Sequence, residues 1–515
     1  MDEKKKTVVM VGVMLGMFAS SLNQTLIGTA MPQIVSHMGG MVLYSWVFTS
    51  YMLISTTAVP IFGKLSDIYG RRPFYILGLV IFMAGSALGG FSGEMWGLIV
   101  CRGIQGLGVG MLMANSMAVV GDVFPPAERG RWQGALGSVY GLSSIIGPAL
   151  GGYITDNLNW RWVFFVNLPV GLLAFALLYV TLPKAGKLKK RPQIDYAGLV
   201  TLIAAVIPLL LALTWGGKDY MWGSHRIVGL LSLSAVSAVS FFFAESHARE
   251  PILPLSLFKN KIFTISSAIV FLTGIGMFGT IMYIPLFVQG VIGGSATASG
   301  LVLMPMMIST VLASVLTGHI VTWTGRYKIA ALAGILTMTA GMYLLSAMNV
   351  STTNTGAGIN MIVTGSGLGV IMPLFVIVVQ NTFSHKQLGV VTATVPFFRG
   401  IGGILGVAVM NTLMNNTFSR ELNSTVPAGL RQQVPADVLN VLLDPQVLIN
   451  REALGRIRGG LPPVLDLEID KIVAGVKSAL ALAIHDIFLF GLIALILSLA
   501  LAPFIKEIAL KNSNE

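Results

Sequence analysis

Arg102 and Gln105 stand one helical turn apart inside a long apolar stretch, so both can face a common cavity. A second arginine, Arg399, lies equally deep, after Phe397 and Phe398 and before Gly400, Gly402, Gly403 and Gly406. Ionisable groups in such stretches are expensive enough to be functional by default. The competing reading for each is an arginine that snorkels or bonds carbonyls to hold a bundle together. Proton exchange is the other available chemistry. Asp486 follows His485 in the last apolar stretch, a carboxylate and an imidazole that could exchange protons; a local capping or interfacial pair is the alternative. Tyr51, Tyr283, Gln289, Gln380 and Asn381 are polar groups that could line an otherwise apolar cavity. Covalent catalysis finds no support. His37, His225, His247, His319, His385 and His485 are scattered without ligand spacing, and the single Cys101 excludes an internal disulfide or multi-cysteine metal site. No nucleophile with its base is clustered at membrane depth. Neither an enzyme, a metal nor a cofactor is expected.

The elements that must position these residues follow from composition. Apolar residues make up 54% of the chain and charged residues 10%, against roughly 25% charged in soluble domains. Runs of about 20 residues with almost no charge recur, each able to cross a bilayer core of about 30 Å as a helix. Fourteen are read: 8–30, 44–63, 74–92, 96–121, 132–155, 161–182, 194–215, 225–244, 262–286, 297–322, 329–349, 355–383, 389–416 and 477–503. Lys4, Lys5 and Lys6 precede the first, which lacks a small-residue cleavage site and is expected to remain as an anchor.

The net charge of +12 is distributed by topology rather than as a nucleic-acid patch. With the N-terminus inside, short outer loops hold only Arg161, Lys218 and Arg226, and most other Lys and Arg fall on the cytoplasmic side. All 8 tryptophans sit at or beside span ends, as interfacial anchors do. An even span count puts both termini in the cytoplasm. Segment 417–476, with Pro427, Pro435, Pro445, Pro462 and Pro463, is expected as a long outer loop, either a cap of short amphipathic helices or a passive fold.

The chain also repeats itself. Gly63-Lys64-Leu65-Ser66-Asp67-Ile68-Tyr69-Gly70-Arg71-Arg72-Pro73 returns in outline at Gly318 to Arg326, and Gly106-x-Gly108-x-Gly110 at Gly365-x-Gly367-x-Gly369, both roughly 255 residues on. Spans one to six therefore map onto nine to fourteen, with seven and eight inserted. Expected units are 1–193, 194–261 and 262–515. In the first loop Gly63 and Gly70 permit tight turns, Asp67 can cap a helix, and Arg71 can pair with a carboxylate, Asp122 being the expected partner. The bland alternative is a topogenic loop whose pairs are worth about 0–1 kcal/mol. Gly147 and Gly151 form a small-xxx-small face, Gly152 follows, and Pro148 invites a kink, giving a dry, bendable seam or merely tight packing.

These motifs resemble the major facilitator superfamily. Residues 63–73 are similar to its signature loop, Leu98 to Gly108 to its fourth-span motif, and Gly141 to Gly152 to the fifth-span motif of its exporters. Trp160-Arg161-Trp162-Val163-Phe164-Phe165-Val166-Asn167-Leu168-Pro169 and the two extra spans narrow the likeness to the fourteen-span drug/proton antiporters, which include quaternary-ammonium efflux pumps. The resemblance implies an all-α polytopic membrane protein with two pseudo-symmetric six-helix bundles, acting as a monomer in the cell membrane, in the bacterial inner membrane if bacterial. It implies proton-coupled export of hydrophobic or amphipathic compounds, with protons and membrane lipids as further partners. Arg102 would belong to the coupling machinery, and the 63–73 cluster would latch the cytoplasmic side.

One departure matters. Leu22 to Pro32 resembles the branch's first-span motif, but Asn23, beside Gln24, stands where many members carry Asp. An amide cannot take up a proton at physiological pH. With no carboxylate evident deep in the cavity, neutral, zwitterionic or amphipathic cargo gains weight over strongly cationic drugs, and an exporter or flippase of a lipid or metabolite is the alternative. Met111, Met113, Met304, Met306 and Met307 could line an adaptable pocket, although lipid-facing or gap-filling roles compete.

Overall fold

The computed structural model describes residues 3–124, 126–182, 195–216, 220–248, 255–324, 326–383, 388–426, 434, 436–449, 454–455 and 466–507. Lipid offers the backbone no hydrogen-bond partner, so long apolar runs close their own bonds as helices. The chain is accordingly an all-α polytopic membrane fold. The first six long helices are α1 (Glu3–Met38), α2 (Tyr44–Tyr69), α3 (Arg71–Gly90), α4 (Met95–Val123), α5 (Pro126–Asn157) and α6 (Asn167–Thr181). The middle pair is α7 (Tyr196–Trp215) and α8 (His225–His247). The last six are α9 (Lys261–Leu286), α10 (Ala296–Thr324), α11 (Tyr327–Ser346), α12 (Asn354–Thr382), α13 (Leu388–Thr425) and α14 (Asp466–Leu501). Among the described residues, 13 helices are long and apolar enough to cross a membrane; the Gly- and Ser-rich α5 packs along α1 and α10.

The packing repeats. In the first six helices α1 lies on α5 and α6, α4 on α2 and α3, and α3 on α6. In the last six α9 lies on α13 and α14, α12 on α10 and α11, and α11 on α14. The glycine triplets explain why α4 and α12 are central. A Cβ at Gly106 or Gly110 would strike α2, at the Tyr51 carbonyl or Ala58, and one at Gly108 would strike the α3 backbone at Phe82. In α12, Gly365 and Gly369 meet α10 at the Met306 and Thr310 carbonyls, and Gly367 meets α11 at Met338. Each triplet thus seats one helix against two neighbours at backbone distance, where any side chain would force them apart.

Two expectations need correction. Gly63 and Asp67 do not lie in a turn, because α2 continues to Tyr69; only Gly70, at φ +92°, makes the break before α3, in a region that favours glycine. Segment 417–476 is shorter as a loop than the hydropathy implies. Its start extends α13 to Thr425, and its end from Asp466 opens α14. Polar residues such as Asn415, Asn416 and Ser419 end the hydropathy signal without ending the helix. Between them a helix at Ala436–Leu442 and a 3-10 turn at Pro445–Leu448 enclose a small separate core of Val426, Val434, Leu442, Val447, Ile469, Ile472 and Val476. The Pro445–Leu448 turn touches α1, α14 and the π-helical turn Phe287–Ile292 that follows α9. Pro427, Pro435, Pro462 and Pro463, and the linker around 193, lie outside the described residues.

Candidate functional site

The most polar point at membrane depth is Arg102, which is only 1% exposed. Because Gly106 admits the Tyr51 backbone, the Tyr51 ring reaches the guanidinium, whose carbon lies 4.0 Å from the ring centroid, a cation–π contact. Nη1 donates to Asn23 Oδ1 at 2.5 Å and to Gln105 Oε1 at 2.8 Å, while Nε donates to the Val47 carbonyl at 3.3 Å. Gln105 is held in turn, donating to Ser86 Oγ at 2.9 Å; Ser86 donates to the Phe164 carbonyl, and Asn167 sits 3.4 Å from the same Oγ. Every hydrogen-bond acceptor on the guanidinium is neutral. Asn23 is therefore an engaged acceptor for Arg102. Ser86 and the Val47 carbonyl carried no sequence signal; Asn167 stood in a quoted motif without a role.

Arg102 opens onto a narrow cavity lined by Gln24, Phe48, Tyr51 and Met52 on one side and by Phe278, Ile281, Met282 and Val407 on the other. It lies between the first six helices and the last six. Its methionines are Met52 and Met282, not the expected set: Met111 and Met306 are buried at helix contacts instead, against Gly78 and Gly365.

Beside the cavity the two halves are stitched together. The Tyr44 hydroxyl donates to the Met282 carbonyl at 2.9 Å, and its ring stacks on Tyr283 at 6.1 Å. Gln289 Nε2 donates to the Thr29 carbonyl and to Ser299 Oγ, each at 3.0 Å. Tyr283 and Gln289 therefore belong to this seam, not to the cavity lining. Asp156, on α5, accepts from the backbone N–H groups of Ala296 and Thr297 at 3.1 and 2.7 Å, so its carboxylate caps α10 across the seam. Gly147 and Gly151 lie against Thr25, Leu26 and Thr29 of α1, while Gly152 and the Pro148 carbonyl lie against Ala296, Thr297 and Gly300 of α10. The fifth-span motif is thus a wedge between the halves.

The remaining candidates are dispersed. Arg71 Nη1 donates to the Ser66 hydroxyl at 2.5 Å and to the Gly63 carbonyl at 3.3 Å, tying α3 to the end of α2. The side chains of Asp67 and Asp122 lie outside the described residues. His485 and Asp486 do not form a pair: His485 Nδ1 meets the Ser346 carbonyl on α11, whereas Asp486 accepts from Thr417 at 2.8 Å and lies 3.9 Å from Arg420. Neighbours in sequence on a helix diverge by about 100°. Gln380 and Asn381 sit half-buried in the last turn of α12 and do not line the cavity. Arg399 is half-buried, its carbonyl over Gly274 of α9, with Gly400 beside Thr56 of α2. Among the described residues its guanidinium has no hydrogen bond or ion pair, and its electrostatic neighbour is Tyr140 of α5. Phe398 packs edge-on against Phe258 and Phe397, at 5.8 and 5.7 Å.

A two-part helical membrane fold whose buried polar cluster faces a cavity between the parts is the architecture that secondary transporters use. Residues 13–407 match the Major Facilitator Superfamily, and the chain belongs to it. It is 40% identical over 516 residues to the "Multidrug transporter protein MdtP" of Bacillus subtilis (strain 168), covering 99% of this chain and 95% of that one. It is 35% identical to "Multidrug resistance protein 3" of the same organism, covering 98% and 96%. Among solved structures, a bacterial homologue of the human lysosomal transporter Spinster, in an inward-facing and unoccupied conformation, superposes with a TM-score of 0.66 at 13% identity over 100% of both chains.

Proposed function

We propose that the chain exports hydrophobic or amphipathic compounds across the cell membrane by alternating access, with proton coupling as its drive and a single copy as the working unit. The rocking units are 1–193 and 262–515, with 194–261 inserted between them. The observation that carries this reading is the placement of the cavity under Arg102 between the halves, beside a seam made of small residues and a few polar stitches. Such a seam can part without exposing a large apolar core. Asn23 accepts from Arg102 and cannot bind a proton, so a coupled proton would be taken up elsewhere than position 23. The multidrug names of the relatives support drug-like cargo.

A second reading, movement of a lipid or lipid-like metabolite, is favoured by one feature. Where α7 crosses α2 and α13, Leu53, Leu202, Val206, Phe397, Ile401 and Leu405 line an apolar crevice. Purified protein in liposomes, tested under an imposed pH gradient with lipophilic cations, neutral drugs and fluorescent lipids, separates the two. Gradient-dependent flux of drugs is expected; flux of lipids alone selects the second reading, and flux of neither defeats both.

A further inference from the structure

The geometry points to an amphipathic anion as the favoured cargo, its acidic head on Arg399 and its apolar body in the cavity under Arg102. This deepens the exporter reading and rests on it. Arg399, Gly403 and Val407 form one row on α13, at i, i+4 and i+8. Val407 lines the cavity, and Gly403 lies against Phe278, another lining residue. Arg399 is thus about 12 Å below the cavity along the same helix face. At this turn α13 meets α2 of the first half through Gly400 against Thr56, and α9 of the second through the Arg399 carbonyl over Gly274, while the guanidinium has Tyr140 of α5 as its electrostatic neighbour. The turn of α13 that carries Arg399 therefore sits where the halves meet, beside the place a moving cargo would pass.

The charge inventory sets the sign of that cargo. Arg102 is satisfied by amide and carbonyl oxygens and contributes a full positive charge to the cavity wall. Neither it nor Arg399 has a carboxylate partner among the described residues. Asp156 is committed to the N-terminus of α10, and Asp486 to Thr417 and Arg420. Two uncompensated guanidiniums in a medium of low dielectric repel a cation and attract an anion. A planar guanidinium with unfilled donors suits a carboxylate, sulfonate or phosphate oxygen pair. The apolar body would meet Phe48, Met52, Phe278 and Met282, all lining residues. An acidic amphiphile and an anionic lipid share this chemistry.

The test uses the full chain in phosphatidylcholine nanodiscs and three fluorescent dansyl amphiphiles of equal chain length, ending in a carboxylate, an amide or a trimethylammonium group. The carboxylate should bind at least about tenfold more tightly than the ammonium, equivalent to roughly 1.4 kcal/mol. Arg399→Gln should abolish that preference, Arg399→Lys should keep most of it, and Arg399→Glu should reverse it. An unchanged preference in both the Gln and Glu variants, or a wild type that prefers the ammonium probe, overturns the inference. Added phosphatidylglycerol that displaces the carboxylate probe assigns the anion to a lipid; failure to displace assigns it to a free acid. Proteoliposome flux of the amide probe separates the two levels of the reading: flux with no charge preference defeats only the anion site, and no flux of any probe defeats export.

Discussion

Arg102 and Arg399 are the same side chain within long helices of the two halves, yet their surroundings are opposite. Arg102 is pinned by two amide oxygens, a carbonyl and a tyrosine face, the last two belonging to α2, which Gly106 lets touch α4. Arg399 meets no acceptor among the described residues and stands at the junction of helices from both halves. The difference teaches that a buried charge in this fold is read from its acceptors, not its depth. One arginine is completed by the protein; the other is left for a ligand to complete.

The most severe way to break this contrast is Arg102→Met. It strips the donor from Asn23, Gln105 and Val47, and each buried acceptor left unpaired costs about 1–3 kcal/mol. Transport should fall below about a tenth of wild type, and the thermal midpoint in detergent should drop by several degrees. An unaltered midpoint would show that the network carries no stability. Arg399→Gln is the matched change on the other side: the midpoint should hold or rise, because no hydrogen bond within the protein is lost and an unpaired charge is removed. A fall as large as that of Arg102→Met would erase the contrast.

Asn23→Asp sharpens the comparison at smaller amplitude. An ionised carboxylate 2.5 Å from Nη1 would neutralise the guanidinium on the cavity wall, so preference for the carboxylate probe should shrink by about threefold. Equal preference in Asn23→Asp and wild type would mean that Arg102 does not contribute to the cavity field. The smallest effect belongs to the seam. Gln289→Leu removes the bonds to Thr29 and Ser299, each worth about 1 kcal/mol. Hydrogen exchange at the C-terminal end of α9 and the turn after it should quicken a few-fold; unchanged protection would show that the stitch is dispensable.

The helices and their repeat were legible because apolar run length and glycine spacing are local properties that lipid enforces. The Arg102–Gln105 contact was legible too, being set by one turn of helix. Asn23 as its acceptor was not, since that contact joins residues far apart in the chain. Tyr283 and Gln289 looked like cavity groups, because periodicity gives a helix face without saying which neighbour covers it. His485 and Asp486 show the reverse error: adjacency in sequence placed them together, and helix geometry parted them. The helical start and end of 417–476 were hidden because polar residues sustain a helix as readily as apolar ones once it leaves the bilayer.

The glycine triplets of α4 and α12 have a consequence for how such a transporter acquires new cargo. Two faces of each helix are fixed by backbone contact with neighbours, so those positions have almost no room to vary. Variation that survives must fall on α1, α2, α9 and α13, whose side chains form the cavity wall along with Arg102. The fold thereby separates a rigid mast from an adaptable lining in each half, and a library built to redirect specificity should randomise Gln24, Phe48, Met52, Phe278 and Ile281 while leaving all six triplet glycines untouched.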